Sequence, residues 1–78
     1  MMVEINLFAG LRDKYPETKK GPIIISIRDN STIRDLLEHL GFQDMESLLV
    51  LIDGVRQPLN RIIQPNTSIM IFPPIGGG

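Results

Sequence analysis

Apolar and polar residues alternate in the opening stretch VEINLFA, where Val3, Ile5 and Leu7 take one side and Glu4, Asn6 and Phe8 the other. A period of two predicts a half-buried strand, polar on its second face except at Phe8. PIIISIR repeats the alternation, with Ile23, Ile25 and Ile27 against Ile24, Ser26 and Arg28, and its β-branched run favours strand over helix. These two strands are expected to pair as a hairpin. Between them GLRDKYPETKKGP is rich in turn formers and charge and reads as a loop, with a short helical turn around residues 11–15. In STIRDLLEHLG the period changes: Ile33, Leu36, Leu37 and Leu40 fall at i, i+3, i+4 and i+7. That spacing predicts one apolar stripe along a helix of about three turns. Thr32 and Asp35 fit a capping box at its start, and Gly41 suits the left-handed position just beyond its end. LLVLIDG then predicts a buried strand, and Asp53-Gly54 a two-residue turn into VRQ. Residues 58–67 read as irregular, with a turn at Pro65-Asn66, and SIMIF as the last strand, Ile69 and Ile71 on one side and Met70 and Phe72 on the other.

One helix and a sheet of four to five strands make an α+β domain of two layers. The helical stripe is expected to cover the face carrying Val3, Ile5, Leu7, Ile23, Ile25, Ile27, Val50, Ile52, Ile69 and Ile71. The opposite face keeps Phe8, Ile24, Leu51, Met70 and Phe72, with no second helix to shield them. If their strands are neighbours, water meets a contiguous apolar patch, which a small protein rarely keeps unless a partner docks there.

Composition narrows the function. A chain of 78 residues makes one domain, and its net charge of −1 gives no footprint for nucleic acid or an anionic membrane. The absence of cysteine removes disulfides, thiolate metal sites and thiol nucleophiles. No leader pattern opens the chain and no apolar run approaches the roughly 18 residues a membrane span requires, so the expected compartment is the cytoplasm. His39 lies on the polar side of the helix beside Glu38 without a second histidine or a nucleophile, and reads as a surface residue. Asp29, Asp35, Glu38, Asp44 and Glu46 are scattered rather than spaced as metal ligands, so no metal site is expected. Lys19-Lys20 is too short to form a basic patch. Tyr15 is expected to rest its ring on the body with its hydroxyl in water.

The end of the chain, IFPPIGGG, has a geometry of its own. Pro73 and Pro74 fix φ and offer no N–H, so the sheet ladder should stop and residues 73–78 should leave the body, residues 1–72, as an extended tail. Five residues from Pro74 to Gly78 reach roughly 16 Å. Glycines carry no Cβ, so a narrow channel could close around the backbone and present the terminal carboxylate to chemistry.

Phe72-Pro73-Pro74-Ile75-Gly76-Gly77-Gly78 resembles the tail of the small subunit of molybdopterin synthase, the MoaD-like group, which ends in Pro-Pro, an aliphatic residue, a small residue and Gly-Gly. Leu7-Phe8-Ala9-Gly10-Leu11-Arg12 is similar to that group's first strand and its exit, and Thr32-Ile33-Arg34-Asp35-Leu36-Leu37 to its helix entry. The chain departs from the pattern at Gly76, where Ser or Thr is common, and at Gln64-Pro65-Asn66-Thr67, where an Asp-Gly-Asp turn is usual. The related ThiS-like thiamin sulfur carriers share the Gly-Gly end but usually lack the Pro-Pro. The resemblance implies the ubiquitin-like β-grasp fold and a sulfur carrier that is not itself an enzyme. An E1-like adenylating enzyme would join the Gly78 carboxylate to AMP, and a sulfur donor would leave a thiocarboxylate. The tail would then enter the large subunit of molybdopterin synthase or an equivalent acceptor enzyme. ATP, AMP and magnesium would belong to the adenylating partner, with no cofactor held permanently by this chain. Phe8, Leu51, Met70 and Phe72 would dock, while Pro73, Pro74, Ile75, Gly76 and Gly77 would thread. The alternatives are a carrier for thiamin or another sulfur pathway, a ubiquitin-like modifier joined to lysines through Gly78, and a pure binding module.

Overall fold

The computed structural model describes residues 1–74. Its elements are β1 (Met2–Leu7), β2 (Ile23–Ser26), α1 (Ile33–His39), β3 (Leu49–Ile52), β4 (Val55–Arg56) and β5 (Ser68–Phe72), joined in part by 3-10 turns. The strands form one sheet in the order β2-β1-β5-β3-β4. β1 runs parallel to β5 at its centre, and the other neighbours are antiparallel, including the expected β1–β2 pair.

Ile33, Leu36, Leu37 and Leu40 are all buried, so the stripe read from the sequence is the face that meets the sheet. It covers Val3, Ile5, Leu7, Val50, Ile52, Ile69 and Ile71, with Ile27, Leu48 and Ile63 closing the periphery. Ile23 and Ile25 are only half-buried, because β2 is an edge strand and lacks a neighbour on one side. Ile63 comes from the irregular stretch and carried no periodic signal. That stretch also completes the helix start: the amides of Ile33 and Arg34 donate to the carbonyls of Arg61 and Leu59, at 3.0 and 2.9 Å. Two first-turn donors that a helix cannot pair internally are satisfied in this way.

At Thr32 the capping box is complete. The Asp35 amide donates to the Thr32 hydroxyl at 3.2 Å, and the Thr32 amide to the Asp35 carboxylate at 3.0 Å. The helix has seven residues, about two turns rather than the three expected. Leu40 is already the C-cap and Gly41 takes φ +80°. The Gly41 amide then donates to the Glu38 carbonyl and the Phe42 amide to that of Leu37, both at 3.0 Å, which ends the helix in a Schellman motif.

The charged loop holds two 3-10 turns, Ala9–Asp13 and Pro16–Lys19, in place of one turn near residues 11–15. Tyr15 also differs from expectation. Its hydroxyl donates to the Leu40 carbonyl at 2.7 Å instead of pointing to water, because the end of a helix leaves carbonyls in need of a donor.

Candidate functional site

The sheet face away from α1 follows from the register. Met70 of β5 lies between Asn6 of β1 and Leu51 of β3, and Phe72 lies beside Leu49. Phe8 follows the last residue of β1 and keeps its pairing, its amide donating to the Ile71 carbonyl at 3.2 Å. The Phe8 ring then rests flat on Phe72, with centroids 4.2 Å apart and planes 8° from parallel. Phe8, Leu49, Leu51, Met70 and Phe72 are all half-buried and form one apolar area at the β5 exit. Arg56, opposite Leu51, borders it on the β4 side. Phe8, Leu51, Met70 and Phe72, the residues expected to dock, thus share one face, and Leu49 lies with them, as its alternation with Leu51 in LLVLI could have revealed.

Ile24 does not join them. It is 57% exposed, but it lies across β1 from Ser68, with Glu4 between them. The Ser68 hydroxyl donates to the Glu4 carboxylate at 2.5 Å, and the Asn6 side-chain Nδ2 donates to the Ser68 hydroxyl at 3.1 Å. This polar strip separates Ile24 and Met2 from the apolar area, so the expected five-residue patch is corrected.

β5 ends at Phe72, beside the ring stack. Pro73 is half-buried and Pro74 exposed. The tail residues Ile75, Gly76, Gly77 and Gly78 lie outside the described residues. His39 is exposed on the last turn of α1. Among the described residues no three His, Cys, Asp or Glu side chains are grouped so as to hold a metal ion. Two carboxyls are held below their ordinary range, both on the helix side. Asp35 is lowered by the Thr32 amide and hydroxyl, and Glu46 by its own amide and the Arg34 guanidinium. Both shifts arise from local structural bonds. No helix among the described residues is long and apolar enough to cross a membrane.

A mixed five-stranded sheet folded against one helix, with an apolar outer face at the exit of the last strand, defines a small ubiquitin-like β-grasp protein. The ThiS family model matches residues 5–78, and the chain belongs to that family. SAMP1 from Haloferax volcanii is similar over 100% of both chains, with 22% identity and a TM-score of 0.77. The small archaeal modifier protein 1 from Methanosarcina acetivorans is 22% identical over 99% of this chain and 96% of its own, with a TM-score of 0.69. A chain from the complex of subunits 1 and 2 of the molybdopterin-converting factor of Helicobacter pylori is 21% identical over 100% of both chains, with a TM-score of 0.60. At these identities the likeness shows the fold. No curated protein matches the chain.

Proposed function

We propose that this chain is a sulfur carrier for synthesis of the molybdenum or tungsten cofactor, and that it works through the carboxylate of Gly78. The observation that carries the reading is the exit of β5. The Phe8–Phe72 stack fixes the last strand at the rim of an apolar face, and the rigid Pro73-Pro74 pair follows at once, in a ThiS-family chain that ends Gly-Gly-Gly. A partner docked on that face meets the tail at a defined point.

The chemistry is activation followed by substitution. A Gly78 carboxylate oxygen attacks the α-phosphorus of ATP, and pyrophosphate leaves. Sulfur at the sulfide level then adds to the acyl carbon and AMP departs, leaving a thiocarboxylate. Sulfur therefore rides on the main chain, which suits a protein without cysteine. ATP and magnesium are bound by the adenylating enzyme. Phe8, Leu49, Leu51, Met70 and Phe72 dock, and Pro73, Pro74, Ile75, Gly76 and Gly77 thread toward the active sites of that enzyme and of a cytoplasmic large subunit. That second partner passes the sulfur to a pterin precursor. A role as a protein modifier is the second reading, favoured by the likeness to the two archaeal modifier proteins. There a lysine amine, rather than sulfide, displaces AMP.

Incubation with an adenylating partner, ATP and sulfide separates these readings by intact mass. The carrier gains the difference between sulfur and oxygen at Gly78, and the charged protein then converts a pterin precursor when the large subunit is added. A modifier instead forms isopeptide bonds to lysines. After deletion of Gly77 and Gly78, unchanged sulfur delivery overturns the carrier reading and unchanged conjugation to lysines overturns the modifier reading.

A further inference from the structure

The two edges of the sheet are unlike. On one side β4 is two residues long and exposes Arg56. On the other, β2 reads Ile-Ile-Ile-Ser, uncharged, with no proline or lysine inside it, so only its shortness discourages further pairing. Hydrogen bonding shows which of its groups are taken. The Ile27 amide donates to the Met1 carbonyl at 2.9 Å, and the antiparallel register continues through Val3↔Ile25 and Ile5↔Ile23. Alternation therefore turns the backbone of Ile23, Ile25 and Ile27 toward β1 and that of Ile24 and Ser26 outward. The outward groups have no backbone partner among the described residues. Beside this edge, between the end of β2 and α1, lies a groove of about 790 Å³. Ser26, Arg28, Asp29, Asp35, Glu38 and His39 line it, and because the N-terminal ammonium of Met1 sits 3.3 Å from Asp29, the carboxylates left to face a ligand are those of Asp35 and Glu38, against the Arg28 guanidinium. On the opposite face, Ile24 is 57% exposed and Met2 49%.

We propose that the β2 edge accepts an extended strand of a partner protein, with lysine or arginine at alternate positions and apolar residues between them. The outward amides and carbonyls of Ile24 and Ser26 supply the ladder, and strand alternation sends successive partner side chains to opposite faces. The basic set lies over the groove near Asp35 and Glu38, and the apolar set lies over Ile24 and Met2. A second copy of this chain fits poorly, because pairing β2 with β2 sets the acidic flanks of two helices on one side of the junction. β2 is two strands from β5, so this edge remains open while a partner holds the tail exit. The inference is independent of the chemistry at Gly78.

The test is a titration of isotope-labelled protein with a capped peptide of alternating lysine and valine, and with its glutamate–valine counterpart. The lysine peptide is expected to slow amide exchange at Ile24 and Ser26 several-fold and to shift the resonances of Arg28, Asp35 and Glu38. The glutamate peptide is expected to do neither. Ser26→Pro removes an outward donor without touching the ladder to β1, and abolishes the effect. Glu38→Lys, on an exposed helix position, weakens the lysine peptide several-fold and keeps the test decisive should the proline variant unfold. Unchanged exchange at Ile24 and Ser26, equal affinity for both peptides, or indifference to Glu38→Lys overturns the proposal. So does protection that rises with protein concentration alone, which marks a second copy as the occupant.

Discussion

Thr32 and Asp35 hold the start of α1 by exchanging hydrogen bonds, and the exchange makes the helix sensitive to acid. The carboxyl of Asp35 is held below its ordinary value by the Thr32 amide and then by the Thr32 hydroxyl. A lowered folded-state value means that the contribution is complete above the ordinary carboxylate range and is lost as pH falls through the lowered value. Protection factors of the amides in Ile33–His39, taken relative to the intrinsic exchange rate at each pH, are therefore expected to fall on acidification, and Asp35→Asn to remove that response. Thr32→Ala should cost about 1 kcal/mol in urea unfolding near neutral pH. Tyr15→Phe, which leaves the Leu40 carbonyl without its donor, should cost about 1 kcal/mol in the same measurement. The first pair was legible in the sequence because a cap is written within four consecutive residues. The second was not, since Tyr15 and Leu40 meet only through the fold.

The same division between local and distant holds for the elements. Asp53 and Gly54 take φ of +53° and +77°, the left-handed pair that a tight hairpin turn needs, and the dipeptide announces it. Open space surrounds the position a Gly54 side chain would take, so Gly54→Ala tests backbone conformation alone. It is expected to cost about 1 kcal/mol of stability, read by thermal or urea unfolding. Helix, strands and this turn were legible because each declares itself by period or by dipeptide. The paired 3-10 turns of the first loop were not, having no repeat long enough to read. Nor did the alternation in PIIISIR reveal that its strand lies at an edge, because lateral order is decided by the other strands.

For the whole molecule, the two-layer architecture could be read from the chain, while the outline of the apolar outer face could not. Membership of that face depends on register across three strands, which admits Leu49 beside Phe72 and sets Glu4 and Ser68 between Ile24 and the rest. Leu51→Lys is expected to leave the fold intact, as judged by an unchanged far-ultraviolet spectrum, and to lower sulfur loading by an adenylating partner several-fold. Thiocarboxylate formation at the wild-type rate would remove Leu51 from the contact. The central parallel pair carries a further consequence. Glu4 and Ser68 are bonded across it although 64 positions separate them. While the chain is being made, the β1–β2 ribbon leaves the ribosome with its isoleucines uncovered and must wait for β5 to clear the exit tunnel. Met70 and Phe72 travel on that last strand, so the apolar face at the β5 exit cannot form before translation has passed them.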